Sequence, residues 1–302
     1  MLRKAGKEFL NGKIAIMMKT ICPSATRVSR SRQILTSLLL LLGAVPAFAE
    51  LMLYPTRVVI EGNQRTAQIQ LINNGTESKT YRIAVVNRRM SETGGFVDID
   101  EPLPGELFAD HMLRFSPRQV TLAPGAGQTV RVMVRKPANL AEGEYRSHLL
   151  FSQQPEASGQ NSVETRKEHD KGIGVVITPL IGASIPLIVR HGKLDAEVKL
   201  THLELQQSRG QASFLALRLE RSGERSVYGD LTVTFTPKGG SETVVARANG
   251  VAVYSPNPVR RARLALELPG EKPLANGSLR VTFQEQAEAG GKLLAEAVLQ
   301  VN

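Results

Sequence analysis

The feature that most constrains this chain is a long apolar segment that contains two prolines. Residues 172–192 read GIGVVITPLIGASIPLIVRHG, and Pro179 and Pro186 interrupt an otherwise strand-like run. Proline has no N–H to donate, so a strand that is paired on both sides rarely contains it. A run this apolar should not face water either. The segment is therefore predicted to be an edge strand with a free side, to which another chain can add a strand.

Both alternating sets of side chains in this segment are apolar, which leaves two interpretations. In the first, the strand is buried on both faces within its own protein. In the second, one set packs inward and the other fills a groove in a partner. We favour the second, because the prolines argue against full pairing and because a polar loop at residues 153–171 precedes the strand.

The first 49 residues are expected to be an export signal rather than part of the fold. Basic residues precede a short apolar run at residues 34–45, and residues 47–49 read AFA, a small-residue cleavage pattern. The apolar run is short for a membrane span, so an uncleaved anchor is the weaker interpretation. Cleavage is expected near Ala49.

Without this leader, the chain is nearly neutral and has no cysteine. The full sequence has a net charge of +10, but residues 1–49 hold eight Lys or Arg and one acidic residue, so the remainder has a net charge of +3. This excludes the strongly basic footprint of a nucleic-acid-binding protein. The sole cysteine, Cys22, lies in the leader, so the exported chain has no disulfide or thiol chemistry.

Alternating apolar residues and frequent turns indicate an all-β chain. In residues 66–72, Ile69 and Leu71 alternate with glutamines, and in residues 129–134 every second residue is valine. Residues 51–60 form one further extended run. Turn sequences rich in Asn, Pro and Gly separate these segments. Short strands at this spacing predict a β-sandwich.

A second series of strands follows. Seven segments between residues 196 and 301 have strand patterns, with Gly or Pro in the turns between them. Their spacing fits another sandwich of about a hundred residues. The expected domains are therefore a signal at residues 1–49, one sandwich at residues 50–191 and a second at residues 192–302.

Several motifs resemble the PapD-like periplasmic chaperones of pilus assembly. In chain order they are YPTRV at residues 54–58, FSPRQVTLAPG at 115–125 with QTVRV at 128–132, GEYRSH at 143–148 and IVR at 188–190. The resemblance covers most of residues 51–192, whereas the second domain is inferred from strand spacing alone. It implies two immunoglobulin-like β-sandwich domains in a boomerang arrangement.

The resemblance also implies a function and a site. Members of the family bind a secreted subunit in their cleft and complete its fold by lending it their G1 strand. They anchor the C-terminal carboxylate of this client with an Arg on the first strand, which Arg57 matches; a planar guanidinium meets a carboxylate at two points. Along the client's groove would lie Ile173, Val175, Ile177 and Ile181.

One position departs from the family's pattern. The second anchor of the family is a Lys on the G1 strand, and aligning residues 187–190 with the end of that strand places Pro186 at the position of the Lys. Proline carries no charge. We assign the second positive group to Arg190, with His191 and Arg146 as alternatives that the sequence leaves open.

The sequence contains no recognisable catalytic or metal-binding motif. The five His residues lack metal-ligand spacing, and no HExxH, G-x-S-x-G, Walker A or dinucleotide motif occurs. We therefore expect a non-enzymatic protein without a metal or cofactor.

The expected function is that of a periplasmic chaperone that caps pilus or fimbrial subunits by donor-strand complementation. Its expected partners are secreted pilin-like subunits and an outer-membrane usher, with neither nucleic acid nor stable membrane insertion. The exposed edge allows either a monomer or a self-capped dimer. The alternative is a structural or adhesive two-domain module that binds through its loops.

Overall fold

Strands make up most of the described chain. The computed structural model describes residues 50–99, 101–155, 182–207, 212–267 and 274–302. These residues contain eighteen β strands and two short 3₁₀ turns, and they include no helix of the length and apolar character needed to cross a membrane. The all-β prediction is confirmed.

Eleven strands belong to the first half of the chain. They are β1 (Leu51–Tyr54), β2 (Val58–Ile60), β3 (Thr66–Asn73), β4 (Lys79–Val86), β5 (Arg88–Met90), β6 (Phe96–Asp98), β7 (Leu113–Ser116), β8 (Gln119–Leu122), β9 (Gly127–Val134), β10 (Gly143–Gln153) and β11 (Gly182–His191). The first 3₁₀ turn, Asp110–Met112, precedes β7.

Nine of these strands form a two-layered sandwich. Sheet 1 has the order β1-β3-β9-β7, and sheet 2 has the order β2-β11-β10-β4-β8. The predicted alternation is present, since Ile69 and Leu71 of β3 are fully buried between the sheets with Leu149 and Phe151 of β10. Burial of each such side chain contributes roughly 1.5–3 kcal/mol, which makes this core the main source of stability in a sandwich without disulfides.

The second sandwich has the seven strands that the sequence predicts. They are β12 (Ala196–Gln206), β13 (Phe214–Gly223), β14 (Val227–Pro237), β15 (Thr243–Val253), β16 (Val259–Ala265), β17 (Gly277–Gln284) and β18 (Leu293–Val301). Sheet 3 is β12-β13-β16 and sheet 4 is β15-β14-β17-β18. Their shared core includes the fully buried Leu219, Leu231, Val281 and Phe283.

The prediction of one extended run over residues 51–60 is wrong. β1 pairs antiparallel with β3 in sheet 1, whereas β2 pairs parallel with β11 in sheet 2. Pro55 lies directly after β1 and has no N–H with which to continue the ladder. The chain therefore crosses from one sheet to the other at residues 55–57, and Arg57 is the last residue before β2.

The proline-bearing strand is an edge strand over only part of its described length, which corrects the sequence-based prediction. β11 pairs antiparallel with β10 from Gly182 to His191, and residues 187–189 also pair with β2. Among the described residues, no strand pairs with the other side of residues 182–186. β2 has only three residues, so the free edge begins at Pro186, directly before the doubly paired stretch.

Candidate functional site

The candidate site lies on one face of sheet 2, which we call the cleft face. Val59 pairs with Ile188, and Ile188 pairs with Arg146. Because strand residues alternate between faces, Arg57 and Glu61 share the face of Val59. The register gives one row across three strands, Arg146, Ile188 and Val59, with the pairs His148–Pro186 and Glu144–Arg190 on either side of it; Arg57 and Glu61 directly precede and follow β2.

The cleft face packs against the second sandwich. Ile188 is fully buried in a small cluster with Met90, Ala252 and Tyr254, and Val59 packs against the same cluster. Because Ala252 lies in β15 and Tyr254 follows it, this cluster joins the two sandwiches. The side chains of Glu144, Arg146 and His148 are buried on this face, where electrostatic interactions are stronger than in water.

Arg57 is the least compensated cation on this face. Its Nε and Nη2 atoms are buried and have no hydrogen-bond partner among the described residues, and its guanidinium lies 4.6 Å from the centre of the Tyr228 ring. Burial lowers the pKa of Arg57, and the nearby charge of Arg190 lowers it further. A cleft of about 350 Å³ opens beside it, with Tyr54 and Glu288 among its lining residues.

Arg146 is a second buried guanidinium with weak bonding. It stacks over the Tyr254 ring at 4.3 Å, and its Nε has no partner in the described part of the chain. Its terminal nitrogens reach the carbonyls of Arg88 and Ser255 only at 3.4 and 3.5 Å, which is long for hydrogen bonds. Burial lowers the pKa of Arg146, and the charge of Arg57 lowers it further, although arginine stays protonated in proteins.

Arg190, our sequence-based choice for the second anchor, already bonds two carboxylates. Its Nε donates to Glu144 Oε2 at 3.0 Å and its Nη1 donates to Glu61 Oε2 at 3.1 Å. Glu144 also accepts from the backbone N–H of Ser226 at 3.1 Å and from the Ser226 hydroxyl. The role of Arg190 in client binding stays a prediction, whereas the geometry favours Arg146, one of the alternatives, as the available cation.

His148 pairs with Pro186 across β10 and β11. Its ring is buried and meets the Phe96 ring edge-on, with centroids 5.1 Å apart. Neither ring nitrogen has a hydrogen-bond partner among the residues described. Burial lowers the pKa of His148 to about 3, helped by the charges of Arg146 and Arg88. The imidazole is therefore neutral at physiological pH.

The pKa of His148 predicts how stability depends on pH. The unfolded chain binds a proton near pH 6.5 and the folded chain only near pH 3, so folding is favoured fully above pH 6.5 and progressively less below it. His148 alone should lower the free energy of unfolding by about 1.4 kcal/mol for each pH unit below 6.5 in this window. Urea unfolding of the chain and of the variant His148→Leu at several pH values measures the difference.

The control for this prediction is the exposed His111, replaced by leucine. His148→Leu should make the dependence between pH 6.5 and 3 shallower, and His111→Leu, which keeps His148, should retain the steeper dependence. Equal slopes in the unmodified chain and in His148→Leu would contradict the assignment of a neutral buried imidazole.

Unsatisfied nitrogens concentrate on the cleft face. Seven buried side-chain nitrogens lack a hydrogen-bond partner within the described ranges, and five of them belong to Arg57, Arg146 and His148. Each buried donor left unpaired costs about 1–3 kcal/mol. Two under-bonded guanidiniums on one buried face suit an anionic ligand with acceptor oxygens, for which a carboxylate has the matching geometry.

The structure places only some of the predicted site residues. Arg57 and Arg190 lie on the cleft face, beyond opposite ends of the stretch where β2 pairs with β11, whereas Ile173, Val175, Ile177 and Ile181 lie outside the described residues. Tyr228, Tyr254 and the neutral state of His148 were not predicted. No local pattern marks them, because each acquires its role from a residue far away in the sequence.

Metal ligands do not cluster in the segments that the structure describes. No group of three or more His, Cys, Asp or Glu side chains there could hold a metal ion. The charged groups of the cleft face that lack hydrogen-bond partners among the described residues are the guanidiniums of Arg57 and Arg146, so they suit an anion rather than a metal.

Several solved structures of pilus chaperones are similar to this chain. The YadV chaperone has a TM-score of 0.42 and 13% identity over 84% of this chain and 100% of its own. The CsuC–CsuE chaperone–tip adhesion subunit complex of Csu pili from Acinetobacter baumannii has a TM-score of 0.42 and 13% identity, covering 82% and 98%. The SafA pilin–SafB chaperone complex of Salmonella enterica has a TM-score of 0.39 and 13% identity, covering 85% and 99%.

Sequence comparison gives no match: neither a family model nor a curated protein matches the chain. The structural neighbours are chaperones of the kind that the sequence motifs resemble. At these low identities and TM-scores, the functional proposal for this chain is based on its own residues.

Proposed function

We propose that this chain is a periplasmic assembly chaperone that binds secreted pilin-like subunits and caps them by donor-strand complementation. It would be exported by its N-terminal signal, act without catalysis, and pass its client to an outer-membrane usher. The observation that carries the proposal is the pair of under-bonded guanidiniums on one face of sheet 2: Arg57, at the end of the free edge of β11, and Arg146, on the neighbouring strand β10.

The carboxylate of a client would supply the hydrogen-bond acceptors that the guanidiniums of Arg57 and Arg146 lack among the described residues. A carboxylate has two oxygens and can accept bonds from both guanidiniums at once, and such charge-assisted bonds are stronger than neutral ones. Arg146 would take the place of the family's G1 lysine, whose position Pro186 occupies here. Arg146 lies on β10 opposite Ile188, one row away from Pro186 on the same face.

The free edge of β11 gives the client's last strand a direction. β2 covers residues 187–189, and the free edge extends from Pro186 to Gly182. Arg57, directly before β2, lies at the Pro186 end of this edge. A client strand that ends with its carboxylate at Arg57 must therefore run parallel to β11, in line with β2. Strand addition would supply backbone hydrogen bonds along the edge.

The apolar donor residues remain a proposal from sequence. Ile173, Val175, Ile177 and Ile181 lie outside the described residues. They are odd-numbered, like Ile185, Leu187 and Val189 of β11, which are buried in the core. We propose that this alternation continues into the part of the strand that fills the client's groove, where burial of each side chain contributes roughly 1.5–3 kcal/mol.

The donor strand is tested by the variant Ile177→Asp. It should reduce recovery of a complex with a co-expressed pilin-type subunit, preferably one encoded beside this gene, by at least about tenfold, because a buried unpaired carboxylate replaces an apolar contact. The measurement is co-purification of the subunit from the periplasmic fraction.

A matched control is Val298→Asp, since Val298 is an apolar residue on β18 with 54% of its surface exposed. It should leave complex recovery unchanged. Equal losses in the two variants would show that Ile177 acts through general stability and not through a client's groove. Recovery of the mature chain in a surface fibre, instead of a soluble periplasmic pool, would favour the adhesive module.

A further inference from the structure

The β5–β6 hairpin belongs to neither sandwich and bonds to both. On the side of the first sandwich, Arg88 Nη1 donates to the Ser184 hydroxyl of β11 at 2.7 Å. On the side of the second, the backbone N–H of Arg261 donates to the Glu92 carbonyl at 2.7 Å. The hairpin therefore bridges the two halves of the chain beside the cleft face.

The contacts of the Arg146 guanidinium come from the hairpin and from the second sandwich. The Arg88 carbonyl of β5 accepts from Nη2 at 3.4 Å, whereas the Tyr254 ring and the Ser255 carbonyl lie 4.3 and 3.5 Å away. Tyr254 and Ser255 belong to a turn in which the Asn257 N–H donates a hydrogen bond to the Tyr254 carbonyl at 2.9 Å. The direction of the guanidinium thus depends on where this turn lies relative to the hairpin.

One side chain ties the turn to the hairpin. Asn257 Nδ2 donates to the Met90 carbonyl of β5 at 2.6 Å, and Met90 is buried against Tyr254 and Ile188. We infer that Asn257 is a positioning residue for Arg146: its amide holds residues 254–257 against β5 and so keeps the guanidinium aimed at the client's carboxylate. This inference rests on the proposed function.

The other tethers hold a different part of the hairpin. Glu92 and Arg261 form an exposed ion pair at 2.9 Å, and the backbone of Gly94 lies against the Arg260 guanidinium. In the described part of the chain, the Asn257–Met90 bond is the hydrogen bond that joins β5 to the turn. A binding group must be held within about 0.5 Å of its productive geometry, so loss of this bond should weaken carboxylate recognition in particular.

The test compares two probes on the full chain. One is a short synthetic peptide of alternating valine and threonine with a free C-terminal carboxylate, and the other is the same peptide as a C-terminal amide. The unmodified chain should bind the acid more tightly. Asn257→Ala should reduce this preference by about tenfold, as expected for loss of one well-placed charge-assisted bond, while affinity for the amide stays unchanged. Calorimetric titration measures both affinities.

The outcomes separate the positioning role of Asn257 from the carboxylate anchor itself. Asn63→Ala, at an exposed turn, is the control and should keep the full preference. An unchanged preference in Asn257→Ala overturns the positioning role and leaves the proposed function intact. Equal affinity of the unmodified chain for acid and amide overturns the carboxylate anchor and this inference with it. If Asn257→Ala does not fold, Asn257→Ser, which is too short to reach the Met90 carbonyl, carries the same test.

Discussion

Replacing Arg57 with alanine is expected to weaken binding of the client's C-terminus about 30-fold or more, which corresponds to the 2–5 kcal/mol lost when one partner of a buried charged bond is removed. The free chain should not become less stable by more than about 1 kcal/mol. The Nε and Nη2 atoms of Arg57 make no hydrogen bond to any described residue. The variant therefore loses the stabilising contact with the Tyr228 ring, but it also removes two buried donors whose lack of a partner is destabilising.

This combination of effects separates binding from structure. Arg118→Ala is the matched control, because Arg118 also lies over an aromatic ring, Phe115, at 5.5 Å, but on an exposed part of the first sandwich. Complex formation with the co-expressed subunit and thermal unfolding of the free chain are measured for both variants. A large loss of stability in Arg57→Ala, or unchanged complex formation, would contradict the anchor assignment.

Much of the fold could be predicted from sequence because alternation is a local signal. Ile69 and Leu71 mark the buried face of β3 without reference to any other segment. The β5–β6 hairpin was not predicted, since its strands are three residues long and show no such pattern. The crossing of residues 51–60 between sheets was also missed, because both halves have the same apolar character and differ only in their partners.

The candidate site was less predictable because its charges are set by distant residues. Arg57 was predicted from the resemblance to a family. Whether the charge of Arg190 is already paired could be decided only once both of its carboxylate partners were placed. Those partners, Glu61 and Glu144, lie 129 and 46 residues away from it in the chain. Arg146 was one of several alternatives, and only the structure reveals that its hydrogen bonds are long and that its Nε has no partner among the described residues. The sequence predicts which cations are candidates, and the structure shows which of them are already paired with a carboxylate.

The largest loss of stability is expected from Glu144→Ala. Only 1% of the Glu144 side chain is exposed, and its carboxylate accepts from Arg190 in the first sandwich and from Ser226, directly before β14, in the second. Removing it leaves the Ser226 N–H and part of the Arg190 guanidinium buried without an acceptor. Breaking a buried ion pair by removing one partner costs about 3–5 kcal/mol, so urea or thermal unfolding should show a loss of that size.

Glu61→Ala provides the comparison, because Glu61 bonds the same arginine at 3.1 Å but has 61% of its side chain exposed. An exposed pair contributes about 0–1 kcal/mol, so this variant should be nearly neutral. Equal losses of stability in the two variants would mean that neither the burial of Glu144 nor its bonds to Ser226 increases its contribution to the free energy of unfolding. A large loss in Glu144→Ala alone, together with weaker client binding, would indicate that this carboxylate holds the second sandwich, and with it Tyr228 and Tyr254, against the arginines of the cleft face.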